Sequence, residues 1–174
     1  MAVTLPFSIN SWIEENRHLL KPPVGNAQLF HNTGDFIVMV VGGPNSRKDY
    51  HYNEGEEFFY QLEGNITVKI IDEGVPKDIL INAGEMFLLP SKTPHSPQRG
   101  EGTVGLVIEK IRDKAEIDGF LWFCENCNHK LFEEYLKLTD IVSQLPPVMN
   151  RFYSNEELRT CTQCGTVMDP PKPV

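Results

Sequence analysis

Short apolar segments separated by turn signals run through the middle of the chain and limit this part to an all-β fold. Valine and isoleucine are frequent in these segments, and turns with glycine, such as Glu63-Gly64 and Ala83-Gly84, lie between them. Many short strands joined by turns are typical of a sandwich or a small barrel. We therefore predict β-strands at 35–41, 57–62, 65–71, 78–81, 86–89 and 104–108.

Helical signals flank this β region on both sides. A serine followed three residues later by a glutamate forms a capping box, which marks the start of a helix. A pair of prolines ends a helix, because proline disfavours helical geometry in the residue before it. These signals predict helices at 12–20 (capped by Ser11 and Glu14), at 131–144 (ended by Pro146-Pro147) and just after Ser154 (with Glu157).

The length and charge of the chain argue against several classes of protein. With 174 residues, the chain suits one main domain with a small appendage. Its formal net charge of −8 repels phosphate backbones, so we expect no nucleic-acid partner. No segment approaches the ~20 apolar residues that span a bilayer, and segment 1–10 lacks the features of a signal peptide. We expect a cytoplasmic protein that does not associate with membranes.

Three side chains that can bind a metal stand at spacings that suit β-strands. Glu57 follows His51 by six residues, an even offset that places both side chains on one face if the strand pairing is regular. Two imidazoles and one carboxylate, with the other positions open, form the facial triad that suits non-haem Fe(II). We therefore predict a catalytic Fe(II) site at His51, Glu57 and His95. The other histidines are expected to be ordinary polar residues: His18, His31 and His129.

Two segments place these ligands among glycine and proline at fixed intervals: His51-x-Asn53-x-x-x-Glu57 with Gly64, and Gly84-x-x-x-x-x-Pro90-x-x-x-x-His95. They resemble the two motifs of the cupin superfamily, which implies a mainly β fold, the double-stranded β-helix or jelly-roll barrel. Asn53 stands where the first motif usually has a second histidine, and Lys92 replaces a glycine of the second motif. Because asparagine is a poor ligand, the usual set of four metal ligands is reduced to three.

Longer stretches around the ligands are also distinctive: Arg47-x-Asp49-Tyr50-His51, Glu57-Phe58-Phe59-Tyr60-Gln61 and Pro94-His95-Ser96-Pro97. Together they resemble the 3-hydroxyanthranilate 3,4-dioxygenase family, and the resemblance covers nearly the whole chain. It implies an Fe(II)-dependent extradiol dioxygenase that converts 3-hydroxyanthranilate and O2 to 2-amino-3-carboxymuconate semialdehyde. That product is the precursor of quinolinate in the kynurenine pathway of tryptophan catabolism and NAD biosynthesis. The resemblance also implies a homodimer.

The resemblance implies a small substrate with a carboxylate, a phenolic hydroxyl and an adjacent amine on one aromatic ring. Arg47 lies four residues before His51, and Arg99 lies four residues after His95. These even offsets allow both guanidinium groups to face the metal side of their strands, where they can bind a carboxylate in a bidentate fork. Glu109 matches the pocket glutamate of the family, and we expect it to hold the amine or to accept the phenol proton.

Four further side chains complete the predicted pocket. Glu57 is expected to contact the substrate as well as the metal. Asp49 has the same parity as Arg47 and His51, so it can orient one of them. Asn26 and Phe59 are expected in the pocket wall.

The four cysteines form two Cys-x-x-Cys pairs, which have the spacing of a closed four-thiolate metal site. Asn128 and Gly165 follow these pairs, and both residue types tolerate the positive φ of a metal knuckle. Thiolates alone do not choose between iron and zinc, whereas the family resemblance implies a rubredoxin-like iron centre. Disulfides are the alternative, which a reducing compartment disfavours. We predict a structural metal site at Cys124, Cys127, Cys161 and Cys164.

These observations divide the chain into two predicted parts. A cupin barrel with its N-terminal helix covers residues 1–112, and a small C-terminal segment with helices and the rubredoxin-like site covers 113–174. Two other functions stay open: a cupin dioxygenase for another aminophenol or a catechol, and a non-catalytic metal-binding regulator whose cysteine segment contacts a partner or DNA. The net charge and the paired arginines argue against the regulator.

Overall fold

The computed structural model describes residues 5–22, 25–31 and 34–172. Eleven β-strands and three α-helices, each numbered in chain order, make up this part of the chain. The strands are β1 (Asn26–Gln28), β2 (Phe36–Gly42), β3 (Tyr50–Tyr52), β4 (Glu57–Glu63), β5 (Ile66–Asp72), β6 (Val75–Ile81), β7 (Met86–Leu89), β8 (His95–Arg99), β9 (Val104–Lys110), β10 (Asp118–Phe123) and β11 (Lys130–Leu136). The helices are α1 (Ile9–Asn16), α2 (Ile141–Tyr153) and α3 (Glu156–Arg159).

The strands form two antiparallel sheets. One sheet has the order β1-β2-β9-β4-β7, and the other has the order β11-β10-β3-β8-β5-β6. All six strands predicted from the sequence are present, as β2, β4, β5, β6, β7 and β9. The prediction of a mainly β cupin-type barrel with a helix before it is therefore confirmed. None of the helices in the described ranges is long and apolar enough to cross a membrane.

The barrel core is filled by every second side chain along the strands, because alternate residues of a strand point inward. In β4, Glu57, Phe59 and Gln61 are buried while their neighbours are only half-buried, the pattern of a strand with one face toward a core. Phe59 packs in a cluster with side chains from β5, β6, β7 and β9: Ile66, Val68, Ile70, Ile81, Leu89 and Val107. Since Glu57 shares the inward face of Phe59, the strand delivers a carboxylate into the barrel.

The N-terminal helix begins earlier than the sequence predicts. The cap of α1 is Ser8, whose side chain accepts a hydrogen bond from the backbone N–H of Ser11 at 3.3 Å. The predicted cap at Ser11 is therefore wrong, because Ser11 is the donor and lies inside the first turn. A 3₁₀ turn, Arg17–Leu20, follows. The apolar side chains of this region pack against the first sheet: Ile13 and Leu20 against Val40 and Val104.

The predicted helix over 131–144 is also wrong. Residues Lys130–Leu136 form β11, which pairs with β10, and α2 begins at Ile141 and continues through both prolines. Apolar residues at Leu145, Val148, Met149 and Phe152 have the spacing of one helix face, and this face packs in a cluster with Phe120, Trp122 and Met168. Burial of that face outweighs the backbone hydrogen bond that a proline inside a helix removes.

The last helix follows the predicted position with a different cap. The side chain of Asn155 accepts from the backbone N–H of Glu157 at 2.9 Å and caps α3, so the cap is not Ser154. Upstream, β10 pairs with β3 across the predicted boundary at residue 112, with Phe120 opposite His51. The division at that residue stays a prediction, and the second part contributes strands to the second sheet.

Candidate active site

Three strands bring the predicted metal ligands together. His51 lies in β3, Glu57 begins β4 and His95 begins β8, and the two histidines are direct partners in the antiparallel pairing. All three side chains are buried, and their ligand atoms lie within 4.8 Å of one another. Two imidazoles and one carboxylate fit the donor set that non-haem iron uses. The sequence therefore identified a group of residues that can hold a metal ion.

Hydrogen bonds fix the orientation of both imidazoles. Nδ1 of His95 lies 3.0 Å from the carbonyl oxygen of Thr93, and its Nε2 lies 3.0 Å from Oε2 of Glu57. Nε2 of His51 lies 2.6 Å from Oδ2 of Asp118. A carbonyl or carboxylate partner on one ring nitrogen sets the tautomer and leaves the other nitrogen for a metal.

The charges around Glu57 favour its ionised form. Burial raises the pKa of this carboxyl, but the imidazoles of His95 and His51 and the guanidinium of Arg47 lower it by more. The pKa of Glu57 is therefore lowered to about 2. An ionised carboxylate is the state that binds a metal cation.

The triad opens into a cavity of about 500 Å³, a volume that suits a small ligand. Every residue predicted for the pocket wall or the substrate lines it, apart from Asp49. They are Asn26, Arg47, Glu57, Phe59, Arg99 and Glu109. The sequence prediction missed the residues that α2 and the segment before it add to the wall, among them Leu138, Thr139 and Ile141.

The two arginines of the cavity differ in their partners. Arg47 forms an ion pair with the fully buried Asp49, so Asp49 orients Arg47 and not His51. Arg99 is only 5% exposed, and its Nη1 has no hydrogen-bond partner in the part of the chain that the structure describes. Burial lowers the pKa of Arg99 to about 10, and the neighbouring Arg47 contributes to this. A buried, unsatisfied guanidinium nitrogen at a cavity favours an anionic ligand, because leaving a charged donor unpaired is costly.

The position of Arg99 depends on Asn45, which the sequence prediction did not single out. Oδ1 of Asn45 accepts from the backbone N–H of Arg99 at 2.8 Å, and its Nδ2 donates to the carbonyl oxygen of Pro97 at 2.9 Å. The amide side chain therefore takes the place of a strand along the edge of β8 that β5 does not cover, and it holds the backbone from which Arg99 projects.

Glu109 lies beside the triad on the neighbouring strand. It is the direct partner of Glu57 in the pairing of β4 with β9, and its Oε2 accepts from Nη2 of Arg112 at 3.1 Å. Burial and the charge of Glu57 raise the pKa of Glu109, whereas Arg112 lowers it. The net rise favours proton uptake by this carboxylate at the cavity wall.

Asp118 and Arg112 contact His51 and Glu109, and the sequence prediction missed both. Burial raises the pKa of Asp118, but hydrogen bonds from His51 and Arg112 lower it by more. The pKa is therefore below its usual value, and the carboxylate stays ionised. Both residues lie beyond the last predicted strand, in a region with no strand prediction. The apolar run at 119–123 carried the signal of a buried strand, which would have placed the residue before it at a sheet.

The four cysteines lie together at the end of β10. Their Sγ atoms are within 4.8 Å of one another, and all four thiols are free. Each pair forms a knuckle: the carbonyl of Cys124 accepts from Asn128, and that of Cys161 accepts from Gly165. Asn128 and Gly165 have φ values of 61° and 77°, which confirms the predicted positive φ. The cluster can hold a tetrahedral metal ion.

Comparisons with known proteins show which family this chain belongs to. The sequence model of the 3-hydroxyanthranilic acid dioxygenase family matches residues 1–153. A 3-hydroxyanthranilate 3,4-dioxygenase of Xanthomonas euvesicatoria pv. vesicatoria is 56% identical over 167 residues, covering 96% of this chain and 94% of the relative. The enzyme of the same name from Neurospora crassa is 46% identical over 169 residues, covering 97% and 93%. A cupin-2 domain containing protein from Shewanella frigidimarina superimposes with a TM-score of 0.47 at 19% identity, over 57% of this chain and 92% of that one. The matches to the family model and to these two relatives place the chain in the 3-hydroxyanthranilic acid dioxygenase family.

Proposed function

We propose that the protein is an Fe(II)-dependent extradiol dioxygenase that converts 3-hydroxyanthranilate and O2 to 2-amino-3-carboxymuconate semialdehyde. One cavity combines the group that can hold a metal, two arginines that can bind a carboxylate, and a carboxylate that can accept a proton. The arginines, Arg47 and Arg99, are called the carboxylate clamp, and the proton acceptor is Glu109. This combination is the observation that carries the proposal. The names of the similar enzymes support the same substrate. Both oxygen atoms of O2 enter the product as the ring bond between the hydroxyl-bearing carbon and its unsubstituted neighbour is cleaved.

Arg47 and Arg99 bind the substrate carboxylate in this proposal. The partnerless Nη1 of Arg99 supports the assignment, since a carboxylate would satisfy a donor that is otherwise buried and unpaired. With the carboxylate held there, the amine and the hydroxyl of the ring face His51, Glu57 and His95. Iron, when bound, supplies Lewis acidity and the redox chemistry that activates dioxygen.

Glu109 is the group that moves a proton. Its raised pKa suits a carboxylate that takes the phenol proton as the substrate binds. Glu57 has the opposite environment and stays ionised as a ligand. The two carboxylates are neighbours on paired strands with pKa values shifted in opposite directions, which is a recurrent way to separate a proton acceptor from a metal ligand.

The four-cysteine cluster is proposed to hold a second iron or zinc ion with a structural role. A metal there would join the end of β10 to the segment after α3. Lys48, just before β3, reaches this cluster through a hydrogen bond of 2.9 Å to Glu125. The contact supports a function in anchoring the C-terminal segment.

The wider setting is also a proposal. We propose a cytoplasmic homodimer that supplies quinolinate to NAD biosynthesis. The four cysteines form no disulfide, which agrees with a reducing compartment. Strand β7 is an edge of the first sheet, and Met86 and Leu88 on it are exposed. An apolar edge strand is a surface that a second copy can cover. The substrate is a small aromatic amino-carboxylate, with no nucleic acid as partner.

A panel of substrates tests the proposed function. With the Fe(II)-loaded protein in air, we expect oxygen uptake and the absorbing semialdehyde product from 3-hydroxyanthranilate. The value of kcat/KM for 2-aminophenol, which lacks the carboxylate, should be lower by about 10²-fold or more, because hydrogen bonds to charged groups contribute ~1.5–3 kcal/mol each. Preferred turnover of 2-aminophenol or catechol would contradict the proposed substrate. Absence of oxygen uptake with all three compounds would contradict the proposed enzyme.

Replacement of a cysteine tests the structural role of the second site. Cys161→Ser should remove one metal ion per chain and lower Tm by roughly 10 °C, since a bound structural metal contributes to folding and ~1 kcal/mol shifts Tm by about 2–4 °C in a chain of this size. Turnover per triad-bound iron should stay near the wild-type value. The matched control is Thr162→Ser at the adjacent exposed position. A selective loss of turnover with an unchanged Tm would contradict the structural role.

A further inference from the structure

A chain of buried charged groups leads away from the metal ligands to the proton acceptor. His51 is hydrogen-bonded to Asp118 at 2.6 Å. Asp118 accepts from Nε of Arg112 with both oxygens, at 2.7 and 2.9 Å. Nη2 of Arg112 then donates to Oε2 of Glu109 at 3.1 Å. The side chains of Asp118 and Arg112 are 1% and 16% exposed, so solvent contributes little to this arrangement.

Stability alone does not account for these charges. Buried ion pairs are often no more stabilising than apolar residues of the same volume, because removing the charges from water costs more than their attraction returns. The neighbouring residues of β10, from Gly119 to Trp122, are all buried without such a pair. The carboxylate of Asp118 and the guanidinium of Arg112 are therefore better explained by what they contact, which is His51 at one end and Glu109 at the other.

At one end, the contact fixes the imidazole of His51. A carboxylate that accepts from one ring nitrogen sets the tautomer, holds the ring plane and makes the other nitrogen a better donor to a metal. Phe120 stacks on the same ring with centroids 5.5 Å apart. Strand β10 thus restrains His51 both by packing and by charge.

At the other end, Arg112 holds one oxygen of Glu109. With Oε2 bound to the guanidinium, Oε1 is the oxygen that can receive a proton from a ligand in the cavity. Arg112 also lines that cavity. A single guanidinium therefore bridges two carboxylates, one facing a metal ligand and one facing the proposed substrate.

We propose that Asp118 and Arg112 are a positioning pair, in which Asp118 orients His51 for the metal and Arg112 sets the carboxylate of Glu109 for the proton. The part played by Asp118 requires only a metal at the triad. The part played by Arg112 rests on the proposed function.

Cobalt binding tests the part played by Asp118 without turnover. Co(II) bound at the cysteines gives a thiolate charge-transfer band, and the intensity of this band measures the cobalt at that site. Subtracting that cobalt from the total bound cobalt gives the occupancy of the triad. Asp118→Asn should weaken binding at the triad by about 10- to 100-fold, the usual effect of losing the partner of a ligating histidine. The charge-transfer band and Tm should stay near the wild-type values. Unchanged affinity at the triad, or loss of cobalt at both sites with a lower Tm, would overturn this part.

Steady-state kinetics test the part played by Arg112. Arg112→Met should lower kcat by about 10-fold or more while KM changes little, since proton transfer by a positioned group contributes about 10²–10⁴-fold. Arg112→Lys should restore part of kcat, because lysine keeps the charge but not the planar fork that bridges two carboxylates. The matched control is Arg151→Met, which breaks the ion pair of this exposed arginine with the half-buried Glu134 and should leave kcat unchanged. A value of kcat within about twofold of wild type in Arg112→Met would overturn this part.

The two measurements separate the positioning pair from the proposed function. If the wild-type protein does not turn over 3-hydroxyanthranilate, the proposed function and the role of Arg112 both fail, while weakened cobalt binding in Asp118→Asn still supports the role of Asp118. If the wild-type protein turns over and neither variant differs from it, the positioning pair fails and the proposed function stands.

Discussion

His51→Ala is expected to lower kcat/KM for 3-hydroxyanthranilate by about 10³-fold or more. Lewis-acid stabilisation by a metal contributes several kcal/mol, and each ~1.4 kcal/mol is a factor of ten in rate. With one imidazole gone, only Glu57 and His95 remain of the group that can hold the catalytic metal. The measurement is oxygen uptake combined with metal analysis of the dialysed protein.

The metal content distinguishes loss of the catalytic ion from general damage. His51→Ala should retain one metal ion per chain at the four cysteines, whose cluster is separate from the triad. His18→Ala is the matched control, because His18 is exposed and lies outside both groups. Retained turnover in His51→Ala, or equal loss in His18→Ala, would contradict the role of the triad.

The second large effect is expected at the carboxylate clamp. Arg99→Met should raise KM for 3-hydroxyanthranilate by about 10²-fold with kcat much less affected, because a hydrogen bond to a charged group contributes ~1.5–3 kcal/mol and the contact is made in both ground and transition states. The KM for 2-aminophenol, which has no carboxylate, should change little. Steady-state kinetics with both substrates on the wild type and the variant measure this coupling.

Arg47 offers a contrast to Arg99 within the same clamp. Arg47→Met should raise KM and also lower Tm, because it leaves the fully buried Asp49 without its cationic partner. Arg99→Met has no such effect on Asp49, so its Tm should stay closer to wild type. An equal rise of KM for both substrates in Arg99→Met would contradict the assignment of this guanidinium to the carboxylate.

The sequence predicted which residues line the cavity, but strand periodicity explains only one of them. Arg99 lies four residues after His95 on β8, and side chains two residues apart share a face of a strand whatever the strand pairs with. Arg47 lies before β3, and His51 and Glu57 lie on strands of different sheets, so their even offsets do not explain why they meet. The cupin-like segments and the family resemblance, which pointed to Glu109, supplied these residues.

The parts that the sequence did not predict depend on non-local packing. Asp118 reaches His51 only because β10 pairs with β3, a contact between segments far apart in the chain. Helix α2 continues through Pro146 and Pro147 because its apolar face covers Trp122 and Phe120, which local proline rules do not include. Both errors fall in the region after residue 112, which was expected to be helical and instead supplies β10 and β11 to the second sheet.

The reaction of the Fe(II)-loaded protein with 3-hydroxyanthranilate under ¹⁸O2 tests the central proposal most directly. The semialdehyde is reduced to the alcohol with borohydride as it forms, before it closes to quinolinate and before its aldehyde oxygen exchanges with water, and the alcohol is analysed by mass spectrometry. We expect both labelled oxygen atoms in the ring-opened product, with one O2 consumed for each substrate. Incorporation of a single labelled atom, or oxygen consumption without ring opening, would contradict the assignment of this cavity to extradiol dioxygenation.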